Sequence, residues 1–205
     1  MKFENEVLKN NIVILRPNDP FTWSSGIKSP IYCDNRMILG YPDFRKFVIN
    51  KFVDIVKETY KEVDIIMGTS TAGIPHATLL ADKLNLPCGY VRASAKAHGV
   101  GKQIEGCEVK NKNVLVVEDL ISTGGSVIEV VNVLKKEGAN VMGVVAIFSY
   151  ELEKGKKSLK DNNIKYNTIS NIHNLLDYTK ENNLMNLNEI ELINKFLKNP
   201  SDWLE

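Results

Sequence analysis

VLVVEDLISTGGS, residues 114–126, is the stretch on which the fold turns. A β-branched run carries two adjacent carboxylates, Glu118 and Asp119, to its C-terminal end. A Ser/Thr/Gly loop then leads straight into a helix-period segment at 124–137. In that segment Val127, Val130, Val131 and Leu134 recur at helical offsets, and Gly138 stands where the helix should stop. A strand that passes to a helix through a tight small-residue turn is the repeating unit of an α/β sheet, and ligands settle in the crevice beyond the strand's C-terminal end. The turn offers backbone amides, the hydroxyls of Ser122, Thr123 and Ser126, and the positive end of a helix dipole, which together make a phosphate cradle. Carboxylates beside it would repel a bare phosphate, so they are read as facing sugar hydroxyls or as supporting Mg²⁺ through water. A capped helix start with two solvated acids is the plainer alternative. The position of both acids at the end of a buried strand favours a site.

Outward from this unit, VDIIMG (63–68), CGYVR (88–92) and NVMGVVAIF (140–148) read as further buried strands, near-continuous in apolar residues because both faces of a parallel sheet are covered. Helices are expected at 42–60, with Phe44, Phe47, Val48, Ile55 and Val56 on one stripe and Pro42 at its start, and at 74–85. Phe44, Phe47 and Phe52 are core residues on this reading. Residues 1–40 are rich in Pro, Gly, Ser and Asn, with extended pieces near 21–23 and 31–33, and read as turns and a short hairpin capping the sheet. After residue 150 the composition shifts to Lys, Glu and Asn, with helices expected near 171–182 and 188–198. The whole is one domain, 1–205: a hood at 1–40, an α/β core at 41–150 and a helical and strand extension at 151–205.

The chain has 205 residues, 43% of them apolar, enough for one globular domain and too apolar for a disordered tail. Its formal net charge of +1 gives no bulk pull toward nucleic acid or an anionic membrane, so anion binding must come from local donors. No apolar run approaches the ~20 residues of a membrane span, and the N-terminal MKFENEVLKN lacks the apolar centre of a secretory signal. Three cysteines, Cys33, Cys88 and Cys107, without metal-type spacing, fit a reducing cytoplasm.

A second small-residue turn, GTSTAGI at 68–74, follows the strand at 63–68, and RASAKAHGVGK at 92–102 strings Arg92, Lys96, His98 and Lys102 among Ala and Gly without an apolar period, as in a mobile cationic loop. The segment 114–126 resembles the phosphoribosyl pyrophosphate (PRPP) motif of the type I phosphoribosyltransferases. With FTWSSGIKSPIYCDNR and YVRASAKAHGVGKQIEG added, residues 12–150 look in particular like the orotate-using members of that family. The resemblance implies a mainly parallel sheet flanked by helices with a small N-terminal hood, and a reaction that joins orotate to PRPP with Mg²⁺, yielding orotidine 5′-monophosphate and pyrophosphate. It implies that Glu118 and Asp119 meet the ribose hydroxyls and the metal's shell, and that Leu120, Ile121, Ser122, Thr123, Gly124, Gly125 and Ser126 bind the substrate, with Ser122 to Ser126 holding the 5′-phosphate. Thr69, Ser70, Thr71, Ala72 and Gly73 match the pyrophosphate loop. Arg92, Lys96 and His98 match the basic loop, which in the family closes over PRPP and reaches into the other subunit of a homodimer. Lys96, His98 and Asp119 are the residues expected to carry the chemistry.

Lys28 is a candidate to meet a phosphate, and the resemblance implies that the backbone near Tyr32 and Cys33 lines the orotate pocket. The chain departs from many members at Ser24 and Ala93, where Lys is usual, and AIFSYE (146–151) lacks an Arg used by some against the orotate ring. Arg36 is the candidate substitute, because a guanidinium fork matches a planar carboxylate. His76 and His173 receive no role, and Trp203 reads as a docking residue. Two alternatives stand beside the orotate reading: a phosphoribosyltransferase for a purine or other base, and a PRPP-sensing regulator. The absence of a basic helix-turn-helix segment speaks against the second.

Overall fold

The computed structural model describes residues 1–23, 26–93 and 103–204. Along the chain come α1 (Phe3–Lys9), β1 (Val13–Leu15), β2 (Phe21–Thr22), β3 (Lys28–Ser29), β4 (Ile31–Cys33) and a 3₁₀ helix (Asn35–Gly40). The core follows as α2 (Pro42–Thr59), β5 (Ile65–Thr69), α3 (Gly73–Leu84), β6 (Cys88–Val91), β7 (Ile104–Glu105), β8 (Asn113–Ile121), α4 (Gly125–Lys136) and β9 (Asn140–Ser149). The chain then forms α5 (Glu153–Asp161), β10 (Tyr166–Asn171), α6 (Ile172–Glu181) and α7 (Leu187–Lys198).

Among the described residues the central sheet has six strands in the order β10-β9-β8-β5-β6-β7. All neighbours are parallel except β7, which runs antiparallel to β6 at the edge. The buried runs expected from sequence are these inner strands. Alternation explains why they are apolar throughout. Ile66, Leu115, Val117, Val145 and Ile147 pack on one face with Phe44, Val48 and Phe52 of α2 and Leu80 of α3. The intervening Ile65, Met67, Val114, Val116, Val144 and Ala146 pack on the other face with Val127, Val130, Val131 and Leu134 of α4. α4 begins after Gly124, whose φ of +79° suits glycine, and ends before Gly138 at φ +84°.

Two helices, α1 and α5, go beyond the sequence reading, and the strand expected somewhere in 151–205 is β10. α1 has only Phe3 and Val7 on its buried side together with Glu4, and is held by Phe3 against Phe44 at 5.6 Å and Phe148 at 6.3 Å. α5 buries only Gly155 and Leu159, and β10 is a mostly half-buried edge strand beside β9, so the sheet continues past residue 150. At the N-terminus β1 pairs with β4 and β2 with β3. The Trp203 indole N–H donates to the Lys28 carbonyl at 2.8 Å and its ring meets Phe196 edge-on, while Trp23 stacks on Tyr150 at 6.0 Å. The chain's last residues thereby brace the hood. No helix among the described residues is long and apolar enough to cross a membrane.

Candidate active site

β5 and β8 are adjacent and parallel, with Gly68 opposite Val117, so their C-terminal ends and the turns that follow lie side by side. The two turns are joined by a buried bond: the Thr69 hydroxyl donates to Glu118 Oε1 at 2.8 Å. The same oxygen accepts the Asp119 amide at 2.9 Å, and Ser126 Oγ reaches Oε2 at 3.5 Å. Glu118 is 4% exposed, and burial, reinforced by the Asp119 carboxyl beside it, pushes its pKa up to about 8. Asp119 is half-buried, so it is the more accessible of the pair. Its carbonyl accepts Asn35 Nδ2 at 2.7 Å, which ties the 3₁₀ helix of the hood to the acid.

Neither helix that starts here has a side-chain cap: α3 begins after Ala72 and α4 after Gly124. Their leading amides are therefore not capped by a Ser or Asp side chain of the chain, and amides so placed suit an anionic oxygen. Ser122, Thr123 and Gly124 form the turn after β8, Gly125 and Ser126 open α4, and Leu120 and Ile121 are the last residues of the strand, paired with Phe148 and Ser149. Ile121 is buried in the core below the turn. In the neighbouring turn Ser70 Oγ donates to the Val91 carbonyl at 2.6 Å, Thr71 is exposed, and the Ser70–Thr71 peptide is cis. Gly73 lies so close to the strands that a Cβ would strike Thr69 Oγ1 and the Val117 carbonyl.

Arg92 leaves the end of β6 with its guanidinium 3.6 Å from Glu105. Lys96, His98 and Lys102, like Ser24, lie outside the described residues. Lys28 Nζ donates to Thr22 Oγ1 at 2.8 Å, and the partly exposed Tyr32 rests on Phe21. Arg36 is gripped by Asp34 through Nε at 2.6 Å and Nη2 at 2.9 Å.

Sequence reasoning missed Asn35 and Tyr150. Tyr150 is buried beneath Trp23 of the hood, its amide donates to the Ile121 carbonyl of β8 at 2.9 Å, and its phenol is pushed well up by burial, with Cys33, Asp119 and Tyr32 adding to the effect. Its signal was its place at the end of β9, beside the acid-bearing strand. His76 is fully buried in α3, both ring nitrogens lack a hydrogen-bond partner among the described residues, and burial pushes its pKa down to about 4. A surface groove between α2 and α3 near Ile49 and Leu79 contains none of the predicted site residues.

With both uncapped helix starts at the C-terminal ends of adjacent parallel strands under a small hood, the fold is that of the type I phosphoribosyltransferases. Residues 37–182 match the phosphoribosyl transferase domain family. An orotate phosphoribosyltransferase of Streptococcus pneumoniae is 49% identical over 201 residues, covering 98% of this chain and 96% of that one. Another from Listeria innocua is 48% identical over 198 residues, covering 97% and 95%. Among solved structures, Leishmania donovani UMP synthase superposes with a TM-score of 0.80 at 26% identity over 95% of this chain, which spans 41% of that longer protein. The chain belongs to the orotate phosphoribosyltransferase family.

Proposed function

We propose that the chain transfers the phosphoribosyl group of PRPP to a ring nitrogen of orotate, giving orotidine 5′-monophosphate and pyrophosphate. Of the three readings open from sequence, this is the one its curated relatives carry. The observation that supports the chemistry most is the pair of uncapped helix starts at β5 and β8, bridged by the Thr69–Glu118 bond. The turn at 122–126 takes the 5′-phosphate, the turn at 69–73 takes the diphosphate, and Asp119 meets the ribose hydroxyls between them. Glu118, turned inward, fixes both turns relative to each other.

The reaction is substitution at the anomeric carbon through an oxocarbenium-like state, in which the carbon–oxygen bond to pyrophosphate breaks as the carbon–nitrogen bond forms. Arg92, Lys96 and His98 stabilise the charge that gathers on the leaving diphosphate, and closure of residues 92–102 keeps water from capturing the sugar cation. Arg36 reads the orotate carboxylate, and the backbone at Tyr32 and Cys33 lines the ring. Among the described residues no three His, Cys, Asp or Glu side chains gather around a metal position, and Glu118 is already engaged. The donors that remain are Asp119, water and the substrate's oxygens, a set that suits Mg²⁺, which favours phosphates and one or two carboxylates. When bound, the ion supplies positive charge beside the diphosphate. The working unit in this proposal is a cytoplasmic homodimer whose basic loops are exchanged between subunits.

Ultraviolet monitoring of orotate with PRPP and Mg²⁺ tests the reading. Loss of orotate absorbance that requires PRPP is expected. Turnover of a purine base with orotate untouched would overturn it.

A further inference from the structure

Asp34 was not among the residues singled out from sequence, yet it directly precedes Asn35, the hood residue bonded to Asp119, and it grips Arg36. Its carboxylate accepts both Nε and Nη2 of Arg36, at 2.6 and 2.9 Å, and also accepts the Arg36 backbone amide at 3.2 Å, which caps the 3₁₀ helix. The next residue, Asn35, holds the Asp119 carbonyl at 2.7 Å. Three consecutive side chains therefore fix a guanidinium in register with the sugar-facing acid. The Asp34 carboxylate, with a smaller contribution from Asp119, holds the Arg36 guanidinium above its ordinary range.

A guanidinium has five N–H donors, and the Asp34 pair uses one edge. The second edge, formed by Nη1 and the outer hydrogen of Nη2, has the spacing of a second carboxylate. Arg36 has 64% of its side chain exposed, whereas Asp34 has 19%. The anchored partner is thus the acid, and the exposed partner is the base that meets the ligand. A long side chain left free would lose rotamer entropy on binding, and the ion pair removes that loss in advance. Arg36 holds the Asp34 carboxyl below its ordinary range, so the grip is in place at neutral pH.

We propose that Asp34 is a positioning residue for the base, orienting Arg36 so that its outer edge receives the carboxylate of orotate. This rests on the reading of Arg36 given above. Asp34→Asn is the informative variant, because asparagine keeps the helix cap and the side-chain length while losing the charge and one acceptor of the pair. The expected result is a rise of about tenfold in the orotate KM. The PRPP KM, the thermal midpoint and competitive inhibition by uracil, which has the ring without the carboxylate, should all stay at parental values. Arg36→Ala should raise the orotate KM at least as far, and the double variant should be no worse than Arg36→Ala alone. An orotate KM raised by Arg36→Ala and unmoved by Asp34→Asn would overturn the positioning role and leave the Arg36 reading intact. An orotate KM unmoved by Arg36→Ala would overturn both. A parallel rise in both KM values with a lowered midpoint would mark Asp34 as structural only and overturn the proposal.

Discussion

Gly73 and Gly125 open the helices after the two strand-to-helix turns and look interchangeable in sequence, but their surroundings differ. A methyl group at Gly73 would fall closer than 3.0 Å to both Thr69 Oγ1 and the Val117 carbonyl. That carbonyl belongs to β8, which is paired on both sides, so it cannot retreat. Thr69 Oγ1 cannot swing away without giving up its 2.8 Å bond to Glu118. The start of α3 must therefore move. Overpacking of this kind costs about 2 kcal/mol, which for a domain of this size lowers the melting midpoint by roughly 4–8 °C. At Gly125 nothing lies within 4 Å of an added Cβ and φ is not positive, so Gly125→Ala should leave the midpoint unchanged or raise it slightly. Thermal unfolding of both variants by circular dichroism, alongside the parent at one pH, gives the comparison. A Gly73→Ala midpoint within about 1 °C of the parent, or an equal fall in Gly125→Ala, would refute the packing argument.

Glu118 is pushed from 4.5 up to about 8, so the folded chain holds this proton where the unfolded chain has lost it. The stability from this group is complete below about pH 4.5 and disappears as pH rises through about 8. Glu118→Gln should accordingly gain in midpoint over the parent between pH 5 and pH 8, and a gap that stays constant would contradict the assignment. His76 shifts the other way, from 6.5 down to about 4, so its contribution is present above pH 6.5 and is lost as pH falls through about 4. His76→Leu, which removes two buried nitrogens lacking partners, should be at least as stable as the parent at pH 7 and gain on it under acid; a loss beyond about 2 kcal/mol would mean the ring has a partner. Lys96→Ala should lower kcat on the order of 10²-fold. If the basic loop is exchanged between subunits, mixing this variant with Asp119→Asn should restore part of the activity, and failure to do so under subunit exchange would argue for loops serving their own subunit.

The β8–α4 unit was legible because its signals are local. A continuous apolar run, two acids, a turn of small residues and a helical stripe lie within 24 consecutive positions, 114–137. The difference between the buried Glu118 and the half-buried Asp119 was not legible in the same way, because the Thr69 partner that draws Glu118 inward comes from a strand 49 positions away. Asn35 and Tyr150 could not be found in this manner. Asn35 acts across 84 positions through one amide, and Tyr150 matters only because the hood folds back over β9. α1 was hidden for a related reason: seven residues carry too little period to stand apart from a loop, and it is Phe44 and Phe148 that supply its partner surface. β10 carries polar residues at half-buried positions on the sheet edge, where the apolar pattern of the inner strands fades.

The central claim is that Asp119 and the turn behind it hold the ribose phosphate of PRPP. Calorimetric titration of PRPP with Mg²⁺ into the parent and into Asp119→Asn tests it most directly. A saturable heat in the parent that is lost or greatly weakened in a variant of unchanged melting midpoint is the predicted result. Equal affinity in the two proteins would contradict it.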